Sequence, residues 1–141
     1  RRTLAEAVAA AVQGGATIVQ VRQLLGPSRL LGVSVKTVSK AELAVQQGAD
    51  YLGCGAVCPT STKDSDVIGI QGLRQVCEAV KGTPVVAIGG VGAANASVMV
   101  QAGAAGIAVV SAVFGQSDPA AAALVLRDAV DRALATHNHA T

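Results

Sequence analysis

The sequence predicts an α/β protein built on a parallel β-sheet, and three features of the chain support this fold class. Short apolar runs of strand length alternate with amphipathic stretches of helix length along the 141 residues. The apolar runs are continuous, which is typical of parallel strands that are covered on both faces. Three of them open with a Gly-Ala pair, at Gly15, Gly48 and Gly103, after an alanine-rich stretch. Glycine there fits a left-handed helix cap, so the repeating unit is a helix, a glycine turn and a strand.

The individual elements follow from local signals within this unit. Ser39, with Glu42 three residues later, predicts a capping box at the start of one helix. Asp118 followed by Pro119 predicts an N-cap with proline at the first helical position. The predicted helices are 4–13, 39–47, 70–80, 94–101 and 118–136. The predicted strands are 18–22, 30–34, 50–54, 85–89 and 107–111.

Length and composition favour one globular domain. Hydrophobic residues make up 51% of the chain and charged residues 14%, which is typical of folded proteins. We place the domain at 1–136 and treat 137–141 as a tail, including His137 and His139. Right-handed β/α crossovers allow either a (β/α) barrel or an open doubly wound sheet. The strand count alone favours an open five-stranded sheet, because a complete barrel has eight strands.

Charge and cysteine content exclude several classes of protein. A net charge of +2, without a basic stripe carrying interleaved aromatic residues, argues against nucleic acid and membrane-surface partners. No apolar stretch reaches the length of about 18 residues that a membrane span needs. The three cysteines do not form a disulfide framework, and Cys54 and Cys58 have no nearby histidine, so we interpret them as small buried residues and not as zinc ligands. We expect a cytoplasmic protein, or one of the plastid stroma if a transit segment was removed.

Candidate binding residues cluster where the predicted strands end. Thr60, Thr62 and Lys63 place two hydroxyls and an ammonium after one strand, a set that suits an anion. The glycine pair ending at Gly90 allows a ligand to approach backbone N–H groups, and Ser111 lies where barrels build a phosphate corner. Each residue also has a plain structural interpretation, as a solvated lysine, a tight turn or a polar cap.

Two further strand ends carry polar groups. Gln20 and Arg22 close the first predicted strand and Ser34 closes the second. Arg22 can hold a phosphate bidentately, or can simply end its strand in solvent. Asp64 and Asp66 fit a solvated loop better than a metal site.

Taken together, these motifs resemble one enzyme family. The motifs are Gln20-Val-Arg22, Gly32-Val-Ser34, Asp-Tyr-Leu-Gly-Cys-Gly at 50–55, Pro-Thr-Ser-Thr-Lys at 59–63, Ala-Ile-Gly-Gly at 87–90 and Ala-Val-Val-Ser at 108–111. In this combination the chain closely resembles thiamine-phosphate synthase. The resemblance implies a TIM barrel and a transferase that joins hydroxymethylpyrimidine diphosphate to thiazole phosphate, releasing diphosphate.

The resemblance also implies a role for each candidate residue. Gln20 and Arg22 would contact the pyrimidine diphosphate, and Ser34 and Lys63 would hold its phosphates. The thiazole phosphate would meet Thr60, Thr62, the Gly90 backbone and the turn at Val110 and Ser111. The family reaction is dissociative and needs charge stabilisation, which Lys63 and Arg22 would supply, more than it needs a strong base.

The chain departs from the family pattern in one large way. Its five predicted strands correspond to the second, fifth, sixth, seventh and eighth barrel strands, so the resemblance implies an incomplete TIM-barrel-type fold. Gln23 runs directly into Leu24, where the family has its third and fourth strands. Mg²⁺ is expected for the family, but its ligands belong to that segment and are missing here. We therefore expect a poor or inactive catalyst.

Two alternatives remain open beside the synthase interpretation. A thiazole tautomerase would share the barrel and the phosphate corner, although the motif at 60–63 resembles it less well. A non-catalytic phosphate-binding remnant, or a product of altered splicing or gene modelling, is favoured by the abrupt junction after Gln23. In each case we expect small-molecule phosphates as partners, with a homo-oligomer made possible by the exposed strand edges of an incomplete barrel.

Overall fold

A repeated β/α unit runs through the residues that the computed structural model describes, which are 30–60 and 66–138. The strands are β1 Gly32–Val35, β2 Tyr51–Gly55, β3 Val85–Ile88 and β4 Gly106–Ala108. The helices are α1 Val38–Gln46, α2 Gly69–Ala79, α3 Ala96–Gln101, α4 Ser111–Phe114 and α5 Pro119–Asn138. The predicted helix 4–13 and strand 18–22 lie outside the described residues.

The four strands form one parallel sheet in the order β1-β2-β3-β4. The register places Gly32 beside Tyr51, Leu52 beside Val85, and Val86 beside Gly106. A doubly wound sheet reverses its strand order at a switch point, whereas this order follows the chain throughout. The described sheet is therefore an arc of a barrel and not the open doubly wound sheet that the strand count favoured.

One face of the sheet carries the hydrophobic core. Buried side chains from β2 and β3 pack against α2 and α3, where Leu73 and Met99 are fully buried. The buried residues of these two strands are Leu52, Cys54, Val85 and Ala87, and Val35 of β1 joins the same core. Their alternation with exposed or half-buried neighbours shows that the helices cover one face.

The opposite face of the sheet is uncovered within the described residues, contrary to the prediction that both faces are buried. Tyr51 and Ile88 point to this face, and each is 40% exposed. The Tyr51 ring lies over Gly32, where a Cβ atom would collide with it. In a closed barrel this face would be the interior, so its exposure follows from the arc being open.

Two helices end as the Gly-Ala repeat predicted. Gly48 has φ 88° and Gly103 has φ 104°, both in the left-handed region. Beyond these glycines, Ala49 N–H donates to Ala44 O at 3.0 Å and Ala104 N–H donates to Met99 O at 3.1 Å. These are the hydrogen bonds of a Schellman cap, and they confirm the prediction for both helices. The third glycine of the repeat, Gly15, lies outside the described residues.

The helix starts were predicted less well. The prediction that Ser39 caps α1 is wrong, because Thr37 is the N-cap and its Oγ1 accepts from Lys40 N–H at 3.4 Å. Ser39 lies inside the first turn, so the capping box with Glu42 does not form. The cap of α5 is confirmed, since Asp118 Oδ1 accepts from Ala121 N–H at 3.0 Å.

The last strand is shorter than predicted. It ends at Ala108, and Ser111 opens α4 and does not close a strand. The final register pair joins Ile88 to Ala108, after which the glycine pair turns the chain away. Without a neighbour to pair with, residues beyond Ala108 leave the sheet.

The long helix α5 covers one side of the arc by packing on α3 and α4. Leu126 and Ala133 are buried on its inner side. Its exposed side carries ion pairs between Arg127 and Asp131 and between Arg132 and Asp128, which contribute little in solvent. Among the described residues, no helix combines the length and the apolar character that a membrane crossing requires.

All three cysteines lie in or against the core, as predicted for small buried residues: Cys54 is buried, and Cys58 and Cys77 are half-buried. Burial raises the pKa of Cys54 to about 12, with a smaller contribution from the nearby Cys77 thiol. Burial likewise raises the pKa of Cys77 to about 11, a backbone hydrogen bond opposes this, and the Glu78 charge adds to it. Both thiols are therefore neutral at physiological pH.

Truncating the core should cost far more stability than truncating the surface. We expect Leu73→Ala, at a fully buried site on α2, to lower the free energy of unfolding by roughly 2–5 kcal/mol. The matched change Leu124→Ala, at a site that is 71% exposed, should change it by no more than about 0.5 kcal/mol. Urea unfolding monitored by circular dichroism measures both, and equal effects would contradict the assigned core.

The neutral Cys54 thiol should make stability fall in alkaline solution. The unfolded thiol ionises near its ordinary pKa of 9.0 and the folded thiol only near 12. The stabilisation is therefore fully present below pH 9 and is lost progressively as the pH rises toward 12. Between pH 8 and pH 10.5, the unfolding free energy of wild type should fall by roughly 2 kcal/mol relative to Cys54→Ala. Parallel pH profiles for the two proteins would contradict this.

Candidate functional site

A cavity of about 280 Å³ opens where the carboxyl ends of β2, β3 and β4 meet. Its wall consists of short segments that follow the three strands. These are Ala56 and Thr60 after β2, Gly89 to Val91 after β3, and Val109 to Ser111 after β4. Because the strands are parallel, this is the sheet edge at which barrel proteins bind their ligands.

The structure brings together four of the residues predicted as a binding site. Thr60, Gly90, Val110 and Ser111 all line the cavity. Ser34 lies apart from them, exposed on β1 and beside Gly53 on the uncovered face. Gln20, Arg22, Thr62 and Lys63 lie outside the described residues, and their roles stay predictions.

Hydrogen bonds fix the segment that delivers Thr60 to the cavity. Val57 N–H donates to Ile88 O at 2.9 Å, and Cys58 N–H donates to Gly89 O at 3.0 Å. The first bond ends on the last residue of β3, and the second lies beyond the ends of both strands. Two more close the base of the following loop, from Ile68 N–H to Ala56 O and from Gly69 N–H to Val57 O. Thr60 therefore comes two residues after a segment whose backbone is hydrogen-bonded to the end of β3 and to Gly89.

The glycine pair after β3 is required by its conformation and by its close neighbours. Gly89 has φ 89° and Gly90 has φ 65°, which side-chain-bearing residues rarely adopt. A Cβ atom on Gly90 would lie 2.7 Å from both Cβ and O of Cys58. The missing side chain lets the two loops touch and keeps the Gly90 backbone at the cavity wall. The Gly90 N–H donates no hydrogen bond to any other described residue.

Ser111 reaches the cavity from the first residue of α4. Val110 precedes it at the N-cap position without a side-chain cap, and its own side chain is 54% exposed. The first N–H groups of a helix have no partner within the helix, so they are available to a ligand. The Ser111 carbonyl already accepts from Gly115 N–H at 3.0 Å and from Gln116 Nε2 at 3.4 Å, so the hydroxyl and the amide are the groups of this residue that could donate to a ligand.

One residue at the site was not identified from the sequence. Asn95 Oδ1 accepts from Gly92 N–H at 2.8 Å, and its Nδ2 donates to Gly90 O at 3.0 Å. The sequence placed Asn95 inside the predicted helix 94–101, while the structure places it at the N-cap of α3. An asparagine five residues after a glycine pair was the only local signal.

The polar groups at the cavity are suited to an anion. They are hydroxyls and backbone N–H groups, set among apolar walls, and Thr60 and Ser111 supply the hydroxyls. In the described ranges, no three side chains of histidine, cysteine, aspartate or glutamate lie close enough together to hold a metal ion.

Comparison with known proteins points to one family. The family model described as thiamine monophosphate synthase matches residues 20–113. The thiamine-phosphate synthase of Moorella thermoacetica is 48% identical over 114 residues, which cover 79% of this chain and 54% of that protein. The thiamine biosynthetic bifunctional enzyme TH1, chloroplastic, of Arabidopsis thaliana is 53% identical over 100 residues, covering 68% of this chain and 19% of that protein.

A solved structure agrees with the sequence comparisons. The thiamine phosphate pyrophosphorylase from Pyrococcus furiosus superposes with a TM-score of 0.74 and 39% sequence identity. The match covers 90% of this chain and 65% of that structure. The chain spans about half the length of the bacterial relative, of which 54% is matched.

The two glycines after β3 should respond differently to a methyl group. We expect Gly90→Ala to lower the free energy of unfolding by roughly 2–4 kcal/mol, because its φ is positive and its Cβ meets Cys58. Gly92→Ala is the matched control, since a Cβ there has open space and the φ is not positive, and it should stay within about 0.5 kcal/mol of wild type. Denaturant titration measures the free energy of unfolding of both variants. A Gly90→Ala variant as stable as wild type would contradict the close approach of the two loops.

Proposed function

The chain belongs to the thiamine monophosphate synthase family, and on that premise we propose that its cavity binds the phosphate group of thiazole phosphate. The family reaction joins this compound to hydroxymethylpyrimidine diphosphate, giving thiamine phosphate and diphosphate. Because the chain spans only about half of its bacterial relative, with 54% matched, the binding step and the complete reaction are separate proposals.

One observation carries the binding proposal. Thr60, Gly90 and Ser111 follow three different strands and line a single cavity of about 280 Å³. Among the described residues, this wall contains no carboxylate that would repel an anion. Hydroxyl and N–H donors that converge from several strand ends suit a phosphate monoester.

Each donor then has a definite part in holding the ligand. The hydroxyls of Thr60 and Ser111 and the N–H of Gly90 would donate to the phosphate oxygens. Val110 would supply an apolar surface for the thiazole ring, because its side chain lies beside these donors and is 54% exposed. Thr62 would join Thr60 on the phosphate, as the family resemblance implies.

The remaining predicted residues belong to the second substrate. Gln20, Arg22 and Ser34 would contact the pyrimidine diphosphate. In the coupling step, the bond from the pyrimidine methylene carbon to the diphosphate oxygen breaks first and the diphosphate leaves with the electron pair. The thiazole nitrogen then forms a bond to the carbon cation that remains. Lys63 and Arg22 would stabilise the negative charge that collects on the departing diphosphate.

We propose that coupling by this chain alone is slow or absent. Mg²⁺ would neutralise the diphosphate, yet the described residues offer no ligand set for it, so no step is assigned to the metal. The chain would then keep the thiazole phosphate half of the site and lack an efficient leaving-group site. No observation favours a thiazole tautomerase over this proposal.

Partners and compartment follow from the same premise. The two small phosphates are the proposed ligands, and a second copy of the chain is the proposed partner for the uncovered sheet face. The proposed compartment is the cytosol or the plastid stroma. The Arabidopsis thaliana relative is named chloroplastic, which supports the second.

Calorimetry with thiazole phosphate and turnover assays test the proposal together. Wild type should bind the ligand, and Ser111→Ala should weaken binding by about tenfold, because a hydrogen bond to a charged group is lost. Ser97→Ala is the matched control, since Ser97 is an exposed serine on α3 and should bind as wild type does. Mixing both substrates with Mg²⁺ should give little or no thiamine phosphate.

Two results would contradict the proposal in different ways. Wild type that releases no heat with thiazole phosphate at about 1 mM would reject the binding site. Rapid thiamine phosphate formation by wild type, abolished in Lys63→Ala, would reject the claim of slow coupling and leave the binding site standing.

A further inference from the structure

We propose that Asn95 is a positioning residue that fixes the turn from Gly90 to Gly92 against Cys58 and so holds the N–H donors of the cavity in place. This inference rests on the proposed function, because those donors matter for binding only if the cavity takes a phosphate. No relative or motif named above assigns a role to this side chain.

The Asn95 side chain makes three contacts, and all of them go to the loops that carry the cavity. Its Oδ1 accepts from Gly92 N–H at 2.8 Å, and its Nδ2 donates to Gly90 O at 3.0 Å. Nδ2 also approaches Cys58 Sγ at 3.8 Å, a contact between residues 37 positions apart. One half-buried amide therefore joins the turn after β3 to the segment after β2.

These contacts replace the ordinary use of an asparagine at this place. Asn95 is the N-cap residue of α3, where its side chain would normally accept from an N–H in the first helical turn. It makes no such bond. The side chain turns back to the preceding loop, so α3 has no side-chain cap and the loop is held by the Asn95 contacts instead. We call these three contacts the brace.

The brace determines which way a neighbouring peptide faces. In a trans peptide, the Gly90 carbonyl and the Val91 N–H point in opposite directions. Because Asn95 holds the carbonyl, the Val91 N–H is directed away from Asn95. Gly90 and Val91 both line the cavity, and neither N–H donates to another described residue. Asn95 thus limits the orientation of the Val91 N–H before a ligand arrives, and it holds this peptide next to the Gly90 N–H, whose own peptide is held by the bond from Cys58 N–H to Gly89 O.

A local turn alone does not account for the arrangement. The bond from Gly92 N–H to Oδ1 would form in any short turn of this kind. The contact with Cys58 lies outside that turn and is possible only because Gly90 lacks a side chain at the same spot. A carboxylate could accept from Gly92 but could not donate to Gly90 O, so the amide is the group that satisfies both.

Two substitutions distinguish the contacts of Asn95 with the loops from a capping role of Asn95 at α3. Asn95→Ala removes every contact of the side chain. Asn95→Ser is neutral and able to cap α3, but it is too short and has too few donors to reach both Gly90 O and Cys58. Ser97→Ala, in the first turn of the same helix, is the control for a change that leaves the loops alone.

Three readouts are compared in the full-length chain: thiazole phosphate affinity by calorimetry, the midpoint of thermal unfolding, and amide hydrogen exchange at Cys58 and Gly92. We expect both Asn95 variants to bind about threefold to tenfold more weakly than wild type and Ser97→Ala. Gly92 N–H should also exchange faster in both. Asn95→Ser should keep a melting midpoint near that of wild type, because a new side-chain cap on α3 would offset the lost loop contacts.

The outcomes are decisive in each case. Wild-type affinity in Asn95→Ser overturns the positioning role, even if exchange at Gly92 is faster. If wild type itself does not bind thiazole phosphate, the proposed function fails. Amide hydrogen exchange is then the measurement that tests whether Asn95 holds the two loops together. The positioning role is then supported if the amides of Cys58 and Gly92 exchange faster in Asn95→Ser than in Ser97→Ala. Equal exchange in the two variants overturns it.

Discussion

The close approach of the segments after β2 and β3 is the constraint on which the site depends. The strands end at Gly55 and Ile88, but hydrogen bonding between the two segments continues from Cys58 N–H to Gly89 O at 3.0 Å. This continuation is possible because Gly90 leaves no side chain between the loops. Thr60 and the Gly90 backbone reach one cavity as a result, and the short helix α4 adds Ser111 from the neighbouring strand.

Strand interiors, the glycine ends of two helices and the cap of α5 were predictable from the sequence, whereas the end of β4 and the start of α1 were not. An apolar run such as 85–88 is recognised by composition alone, because burial on the helix face depends on the residues themselves. The end of β4 depends on where its neighbour β3 stops, which is a property of two distant segments. The N-cap of α1 depended on which of two nearby hydroxyls, Thr37 or Ser39, preceded the first turn.

The same distinction applies to the candidate site. Thr60, Gly90 and Ser111 were predicted because the carboxyl ends of parallel strands share an edge, so residue type and position along the chain were sufficient. Asn95 was missed because its role lies in contacts with Cys58 and Gly90, and a single sequence does not reveal which loops touch. The roles of the residues at 20, 22, 62 and 63 stay predictions that depend on the family pattern.

The uncovered face of the sheet also gives the protein a built-in optical probe. The chain has one tyrosine and no tryptophan, so its intrinsic fluorescence comes from Tyr51 alone. That ring lies across Gly32 on the uncovered face and is 40% exposed. Anything that comes to cover this face, including a second copy of the chain, would exclude water from the ring. The emission of an unlabelled sample would then report the event directly.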